Sequence, residues 1–356
     1  MKDFTFITPE TKKTVKIMPF VTFPLTKKCN FKCLYCGHGG ELSASMKDEQ
    51  DFEVIKERIY EAYKMGVRKF RLTGGEPFLY PYLREIIEII NSLGVFLHIN
   101  SNGYLIEENL DIMEMMQNNI KFAISLDSLK DDKYDYLTGA KGGLSRAKNG
   151  IEIAKKYGKL LRLNMVVTKY NKDEIFDIID YCSSLGCNLK LLDVVSVPLP
   201  YSKRDDLHVS FVELEEQLSK ISDLVTQHSY ARGFGTPCHI YKYKDVEITV
   251  KSTWNGSHYD INGICKGCAY YPCHEGLYDI FSLPDGRVIG CRWSEESVSE
   301  CGNFKESLEK MAQIFQNAKY VGRDINDSME HSPDFVINSL KNAGQTIPDV
   351  YNRVDE

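Results

Sequence analysis

Three cysteines lie within eight residues near the start of the chain, in the run CNFKCLYC. They are Cys29, Cys33 and Cys36, and their spacing is CxxxCxxC. Thiolates gathered this closely suit a soft metal ion or an iron–sulfur cluster. Three thiolates can hold three irons of a [4Fe–4S] cube and leave the fourth iron open to a small molecule. Zinc is the alternative, because His38, two residues beyond Cys36, would complete a Cys3His site.

A second group of cysteines occurs in the run CKGCAYYPCHEGLYDIFSLPDGRVIGC. Cys265 and Cys268 form a CxxC pair, and Cys273 and Cys291 follow. The turn sequence PDG at 284–286 would return the chain so that Cys291 meets the others. Four thiolates suit tetrahedral zinc as well as an iron–sulfur cluster, so the spacing predicts a metal site and leaves the metal open.

Composition limits the classes of protein that fit this chain. It has 356 residues, 43% of them hydrophobic, a net charge of −6 and 11 cysteines. No apolar run is long enough to span a bilayer, and the first twenty residues contain no apolar signal core. No basic tract indicates a nucleic-acid partner. We therefore expect a cytoplasmic protein, in which clustered thiols stay reduced and bind metal rather than form disulfides.

Short apolar runs alternate with helical patterns over the first two thirds of the chain, which predicts a parallel sheet with helices between its strands. Helices are expected near 48–65, from Asn171, where Asn171 and Glu174 form a capping-box pattern, and near 211–228. We count six strand–helix units, whereas a closed barrel needs eight. The predicted fold is an α/β partial (β/α)6 TIM-like barrel. The predicted strands are Val21–Leu25, Lys69–Thr73, Phe96–Asn100, Phe122–Leu126, Leu160–Thr168 and Leu189–Val195.

The chain changes character after about residue 231. Glycines, aromatic residues and cysteines become frequent, and the helical period is lost until about 303–320. This pattern predicts a small module held by metal rather than by a large core. The predicted organisation is an N-terminal segment 1–20, a barrel 21–230, a module 231–322 and a partly ordered tail 323–356.

The ends of the predicted strands carry further motifs. They read RLTGGEP from Arg71, INSNGY from Ile99, AISLDS from Ala123 and LRLNMVV from Leu161. Together with CxxxCxxC and the aromatic Tyr35 just before the third cysteine, these motifs resemble the radical SAM superfamily. The likeness is greatest to MoaA-like proteins, the GTP 3′,8-cyclases and their paralogues, and extends from about 21 to 320. The stretch from Cys273 to Cys291 resembles the auxiliary-cluster modules called twitch or SPASM domains.

The resemblance implies roles for individual residues. Cys29, Cys33 and Cys36 would hold a [4Fe–4S] cluster whose open iron chelates S-adenosylmethionine, and one electron would release a 5′-deoxyadenosyl radical. A reductant such as flavodoxin or ferredoxin would supply that electron. Glycine lets backbone approach a ligand closely, and an aromatic face suits adenine. The residues expected to bind the cofactor are Tyr35, Gly74, Gly75, Glu76, Asn102 and Ser125.

A second [4Fe–4S] cluster is implied at Cys265, Cys268, Cys273 and Cys291. Arg71, Arg162 and, with weaker support, Arg292 match basic positions that face the substrate in the family, and Ser101 is a further candidate substrate residue. A structural ion pair is the alternative for the arginines in the barrel.

The chain also departs from the GTP cyclases. Thr22 stands where they have an arginine, and Ala269, Tyr270 and Tyr271 stand where they have an arginine-rich run. A fourth cysteine, Cys273, would close the auxiliary cluster, and the final VYNRVDE lacks their double glycine. Arginine suits phosphate because it donates a charged fork, so these differences weaken the case for GTP.

Three functions therefore remain in competition. The first is a radical SAM enzyme that acts on a peptide or a specialised small molecule, the latter favoured because no peptide-recognition domain is recognisable before the barrel. The second is a divergent GTP 3′,8-cyclase. The third is a non-catalytic zinc or electron-transfer protein.

Overall fold

The computed structural model describes ten stretches of the chain. They are residues 5–7, 14–16, 20–36, 47–194, 204–222, 224–228, 238–252, 279–291, 298–299 and 303–317.

The described residues form strands and helices in the following order along the chain. The strands are β1 (Thr5–Ile7), β2 (Thr14–Lys16), β3 (Phe20–Pro24), β4 (Lys69–Thr73), β5 (Phe96–Ser101), β6 (Ile120–Ser125), β7 (Leu160–Val166), β8 (Asn188–Leu192), β9 (Leu224–His228), β10 (Cys238–Tyr243), β11 (Val246–Lys251), β12 (Asp279–Ser282), β13 (Val288–Ile289) and β14 (Val298–Ser299). The helices are α1 (Phe52–Lys64), α2 (Leu83–Leu93), α3 (Leu110–Met115), α4 (Asp131–Thr138), α5 (Gly143–Lys156), α6 (Ile175–Leu185), α7 (Arg204–Leu207), α8 (Val212–Ile221) and α9 (Phe304–Asn317). Short 3₁₀ turns occur at Pro77–Leu79, Glu107–Asn109 and Lys172–Glu174.

One sheet contains twelve strands in the order β14-β13-β12-β3-β4-β5-β6-β7-β8-β11-β10-β9, and β1 and β2 form a separate antiparallel pair. The six predicted strands are β3 to β8, parallel and in chain order. The partial barrel predicted from the sequence is therefore confirmed. The sheet also adds one parallel strand at each side, because β12 pairs with β3 and β11 pairs with β8.

The two faces of the central strands differ in chemistry because side chains alternate along a strand. Val21, Phe23, Phe70 and Leu72 are fully buried in the main hydrophobic core. Their neighbours on the opposite face, which lines the inside of the barrel, include polar residues such as Arg71. Helices of the βα units cover the apolar face, and α2 and α6 each end at a glycine in the left-handed conformation.

Two expectations about helices were wrong. The helix expected over 211–228 ends at Ile221, and Leu224–His228 instead forms β9, which pairs with β10. Asn171 and Glu174 do not form a capping box. The Asn171 side chain donates to the carbonyls of Asp127 and Val166, and Glu174 accepts from Ser128 and Leu129. Both residues therefore join neighbouring loops instead of capping α6.

The sheet continues across the predicted domain boundary at 230/231, since β10, β11 and β12 all belong to it. The side chain of Gln50 donates from Nε2 to Pro24 at 3.0 Å and to Ser282 at 2.7 Å, and thus joins β3 to β12. The Arg58 guanidinium donates to the Ser282 hydroxyl at 2.6 Å and to the Leu283 carbonyl at 3.1 Å. The described part of 279–291 is therefore packed on the barrel. A metal-binding module within 231–322 stays a prediction, and the tail from 323 lies outside the described residues.

The described helices include none that is both long and apolar enough to cross a membrane.

Candidate active site

The first cysteine group lies on the loop that follows β3, at the carboxyl edge of the sheet. Phe31 anchors this loop in the core, where its ring meets those of Tyr104 and Tyr134 edge-on at 5.8 and 6.1 Å. The backbone N–H groups of Lys32 and Leu34 donate to carbonyls at the end of α4, at 2.8 and 2.9 Å. The segment between Cys29 and Cys36 is therefore attached to the core and to the end of α4.

The three thiols lie close enough to affect one another's ionisation. Partial removal from water raises the pKa of Cys29 to about 11, and the charges of Glu76 and Cys36 add to that increase. Burial also raises the pKa of Cys33, helped by Asp127 and Cys36. A bound cation cluster would remove this penalty, because metal coordination deprotonates thiols outright. Cys29 and Cys36 are exposed. A cluster held by these thiolates would therefore be accessible to a small-molecule ligand.

The two glycines after β4 let this loop approach the cysteine loop. Gly75 N–H donates to the Thr26 carbonyl at 2.6 Å, and Glu76 N–H donates to the Lys28 carbonyl at 2.8 Å. A Cβ on Gly74, whose φ is +124°, would lie 2.6 Å from the Thr26 carbonyl oxygen. The sequence predicted that the backbone at these glycines approaches a ligand closely. In the structure the backbone of Gly74 and Gly75 contacts residues 26–28, immediately before Cys29.

Glu76 joins the loops after β4 and β5. It is only 1% exposed, and its carboxylate accepts from the Ser101 hydroxyl and the Asn102 N–H, each at 2.8 Å, and from the Phe78 N–H at 3.2 Å. The Asn102 amide in turn donates to the Asn30 side chain at 2.8 Å and reaches the Cys29 sulfur at 4.0 Å. Ser101 and Glu76 are thus engaged with each other, and their roles toward substrate and cofactor stay predictions.

The buried carboxyl of Glu76 predicts a pH-dependent stability. Burial raises its pKa from 4.5 to about 7, against the opposing effect of its hydrogen bonds. The folded state then holds the proton more tightly than the unfolded state, so the stabilisation contributed by Glu76 is fully present below about pH 4.5 and is lost as the pH rises through about 7. We expect this group to reduce the free energy of unfolding by about 2 kcal/mol between pH 5 and 7.

Anaerobic urea denaturation at several pH values would measure this loss in the wild type and in Glu76→Gln. The variant lacks the titrating group, so its stability should change less over the same interval. Equal pH slopes in the two proteins would contradict the assignment. Asp127, whose pKa burial raises to about 6, is retained in both proteins and cancels from the comparison.

Tyr35 and Ser125 lie at the same edge of the sheet. The Tyr35 hydroxyl donates to the carboxylate of Asp127, a residue that is 1% exposed and lies just after β6. The other oxygen of Asp127 accepts from the Val166 N–H at 2.9 Å. Asp127 therefore holds the Tyr35 ring between β6 and β7, and the sequence analysis missed it. Ser125 ends β6 and is partly buried, and its cofactor role stays a prediction.

Several predicted site residues cannot be placed. Cys265, Cys268, Cys273, Arg292 and His38 lie outside the described residues. Cys291 lies two residues after β13 and is partly exposed. Within the described ranges, no three His, Cys, Asp or Glu side chains are arranged to hold a single metal ion. The ligand sets of both clusters therefore stay predictions.

Arg71 lies on the inner face of β4. It is 9% exposed, forms an ion pair with Asp279 on β12 and lies 4.3 Å from the centre of the Phe20 ring. Its Nε–H donates to Nδ1 of His98 on β5 at 3.2 Å. The structural ion pair that the sequence left open as an alternative is thus present, and contact of Arg71 with a substrate stays a prediction.

Four cationic side chains form a basic cluster on the inner face of the barrel, namely Arg71, Arg162, Lys190 and Lys251. Desolvation lowers the pKa of Lys190 well below its usual range, and the charges of Lys251, Arg162 and Arg71 lower it further. Burial is the largest cause that lowers the pKa of His98, and the positive charges of Arg162, Arg71 and Lys190 lower it further. Arg162 also donates to the Asn164 side chain at 3.0 Å. Mutual repulsion of this kind favours a bound anion.

The sequence analysis missed Lys190, Lys251 and His98. Each alternates with buried apolar residues along its strand, as in Leu189-Lys190-Leu191. That period-two pattern was the available signal, because a charge at such a position must face the inside of a barrel.

Comparison with known sequences places this site in a family. Residues 23–182 match the sequence profile of the radical SAM superfamily. A protein named "probable GTP 3′,8-cyclase" from Methanothermobacter marburgensis is 30% identical over 300 residues, which are 83% of this chain and 91% of that protein. A protein of the same name from Pyrococcus abyssi is 34% identical over 207 residues, 56% of this chain and 64% of that protein.

Solved structures agree on the fold. Streptococcus suis SuiB bound to S-adenosylmethionine superposes with a TM-score of 0.55 at 15% identity, over 77% of this chain and 60% of SuiB. Native anSMEcpe with bound S-adenosylmethionine gives 0.53 at 17% identity, over 84% of this chain and 81% of that chain. The cysteine loop, the glycines and these matches lead to one conclusion: the chain belongs to the radical SAM superfamily, in its GTP 3′,8-cyclase-like (MoaA-like) family.

Proposed function

We propose that this radical SAM enzyme acts on a small anionic molecule bound inside the barrel. The basic cluster carries this proposal, because Arg162, Lys190 and Lys251 lie on the neighbouring strands β7, β8 and β11 and their positive charges act on one another. Asp279 on β12 forms an ion pair with Arg71, the member of the cluster that lies on β4. A phosphate or carboxylate between Arg162, Lys190 and Lys251 would stabilise all three charges.

The residues that would hold the cofactors fit their groups. Cys29, Cys33 and Cys36 offer three closely spaced thiolates, whose like charges raise one another's pKa, to a [4Fe–4S] cluster. The backbone at Gly74 and Gly75 and the amide of Asn102 lie beside this loop, where S-adenosylmethionine would bind. When bound, this pair would supply a 5′-deoxyadenosyl radical that abstracts hydrogen. The protein would orient the substrate next to the cysteine loop and exclude water from the inside of the barrel.

An auxiliary [4Fe–4S] cluster at Cys265, Cys268, Cys273 and Cys291 remains part of the proposal. Its support is the cysteine spacing in the sequence. A flavodoxin or ferredoxin is the expected electron donor, and the cytoplasm is the expected location.

GTP 3′,8-cyclase activity is the second candidate. Identity of 30% across 91% of the Methanothermobacter protein supports it. Thr22 is evidence against this activity, because it occupies the position where the cyclases have an arginine. It is fully buried beside Arg71 on the inner face. A peptide substrate fits the basic cluster only if it carries an acidic group.

The test uses anaerobically purified and reconstituted full-length protein. Iron, sulfide and zinc would be measured, followed by release of 5′-deoxyadenosine with S-adenosylmethionine and dithionite. About eight irons per chain and cleavage support two clusters, while about four support one. Stoichiometric zinc without cleavage would overturn the enzyme assignment.

Substrate class follows from stimulation of that turnover. GTP, other nucleotides, sugar phosphates and acidic peptides would be added separately. Formation of a cyclised GTP product supports the second candidate. Stimulation by acidic peptides alone would contradict a small-molecule substrate.

The basic cluster gives a further expected result. Lys190→Gln should weaken binding of the stimulating anion by about 10- to 100-fold, because a charge-assisted hydrogen bond is lost. Lys56→Gln is the matched control, since Lys56 pairs with Glu53 on the exposed surface of α1. Equal binding by the two variants would overturn the proposed anion site.

A further inference from the structure

The hydroxyl group of Tyr134 is buried and has no hydrogen-bond partner within the part of the chain that the structure describes. Tyr134 lies on α4 and is only 1% exposed, so bulk water does not reach its side chain. A buried hydroxyl without a partner costs free energy, and the large majority of buried side-chain polar atoms are paired. The Tyr134 hydroxyl therefore indicates a ligand that supplies its partner.

The packing of α4 places Tyr134 beside the cysteine loop. The backbone of that loop donates two hydrogen bonds to carbonyls at the end of α4, one helical turn after Tyr134. The Tyr134 ring also packs edge-on against the ring of Phe31, with the ring centres 6.1 Å apart. Phe31 lies between Cys29 and Cys33, two residues from each. The Tyr134 side chain is therefore held next to the segment that carries the thiols.

The charges around Tyr134 identify the acceptor that its hydroxyl would meet. Burial raises the pKa of Tyr134, and the negative charges of Asp127 and Cys33 raise it further, so the phenol stays protonated and can donate. One oxygen of Asp127 already accepts from Tyr35 and the other accepts from the Val166 N–H. Among the remaining charges that act on Tyr134, that of Cys33 has the largest effect. Sulfur on the Cys33 side is therefore the acceptor that fits.

A hydrogen bond to this sulfur would change the reduction potential of a bound cluster. The potential of an iron–sulfur cluster depends on the hydrogen bonds that its sulfurs accept. One-electron reduction makes the cluster more negative, so a donor binds the reduced form more strongly than the oxidised form. A donor that has no competing acceptor in the protein, as at Tyr134, would therefore raise the potential.

We propose that Tyr134 donates a hydrogen bond to sulfur on the Cys33 side of the [4Fe–4S] cluster and makes this cluster easier to reduce. The inference rests on the proposed function, because it requires a cluster at Cys29, Cys33 and Cys36. The sequence analysis assigned no role to Tyr134, since only the contact between α4 and the cysteine loop brings its hydroxyl to this position.

The experiment is a redox titration of anaerobically reconstituted full-length protein, monitored by electron paramagnetic resonance. The signal that changes when S-adenosylmethionine is added reports the cluster with the open iron. Tyr134→Phe retains the ring that packs on Phe31 and removes only the hydroxyl. We expect this variant to shift the reduction equilibrium about tenfold toward the oxidised cluster, which lowers the potential by about 59 mV.

Tyr104→Phe is the matched control. The Tyr104 ring also packs edge-on against Phe31, with the ring centres 5.8 Å apart, but its hydroxyl bonds to Arg146. The potential should therefore stay at the wild-type value in this variant. A shift of the same size in Tyr104→Phe and Tyr134→Phe would show an effect of packing around Phe31 and would overturn the proposed hydrogen bond.

The iron-free full-length protein gives a second measurement that does not depend on cluster assembly. Without a cluster the Tyr134 hydroxyl is buried and unpaired, so Tyr134→Phe should unfold at a higher urea concentration than the wild type. A purely structural hydrogen bond of this hydroxyl predicts the opposite sign. An equal or lower midpoint in Tyr134→Phe would overturn the proposal, even where the variant retains no iron.

The outcomes separate this inference from the function on which it rests. Equal potentials in the wild type and Tyr134→Phe would overturn the hydrogen bond and leave the radical SAM function in place. Stoichiometric zinc in the wild type, without cleavage of S-adenosylmethionine, would overturn both.

Discussion

Replacing Gly75 with alanine is expected to lower the cluster content and to reduce S-adenosylmethionine cleavage by about 100-fold, since misplacing reactive groups by about 1 Å can have that effect on rate. The added Cβ would lie 2.7 Å from the carbonyl carbon of Lys28 and would overlap its oxygen. Contacts below 3.0 Å are essentially never seen for a Cβ, so the backbone of the cysteine loop has to move. Iron content and 5′-deoxyadenosine release would be measured together.

Gly158→Ala is the matched control for this substitution. Gly158 has a φ of +67° and nothing within 4 Å of the position a Cβ would occupy. Alanine there incurs only the left-handed backbone penalty of about 1 kcal/mol. Gly158→Ala should therefore lower stability slightly and leave the iron content unchanged. Full cluster assembly in Gly75→Ala would show that the cysteine loop does not depend on this close approach.

The second large effect concerns the Arg71–Asp279 ion pair. Asp279→Ala should lower the free energy of unfolding by about 3–5 kcal/mol, because it leaves a buried guanidinium without its counter-charge. The side chains of Arg71 and Asp279 are 10% and 3% exposed, so water cannot replace the lost carboxylate. Urea denaturation monitored by circular dichroism would give the difference.

Another ion pair of the same type supplies the control. Arg84 and Asp111 pair on the surface with side chains 43% and 64% exposed. Asp111→Ala should cost less than about 1 kcal/mol, as exposed pairs do. Similar losses in Asp111→Ala and Asp279→Ala would contradict the assignment of a buried pair. Arg71→Leu combined with Asp279→Leu should recover part of the loss, since the uncompensated charge is gone.

The sequence predicted the core of the fold because β3 to β8 carry clear signals. Each combines alternating apolar residues with a following helical pattern, and the observed bounds lie within a few residues of those predicted. β9 was missed because it directly follows α8, and only pairing with β10 distinguishes it from further helix. The parallel pairings of β11 and β12 join residues far apart in the chain, which local periodicity does not encode.

The sequence motifs located the loops of the candidate site where they follow strands, and they missed contacts between residues far apart in the chain. The cysteine loop follows β3 and the two glycines follow β4, as the strand pattern predicted, while their cofactor roles stay predictions. The partner of Arg71 could not be identified, because Asp279 lies 208 residues away. Asp127 was quoted within a motif without a role, since its hydrogen bond to Tyr35 depends on how two loops meet in three dimensions.

The pairing of β3 with β12 has a consequence for synthesis of the chain. β3 ends at residue 24, and its partner β12 begins at residue 279. One edge of β3 therefore stays unpaired until β12 has been synthesised. At about 5–20 residues per second, a ribosome needs roughly 10–50 s to cover that interval. During this time the β3 edge and the cysteine loop beside it are open to other chains. Chaperones and cluster-delivery proteins would meet the nascent enzyme in this interval, before β12 closes that side.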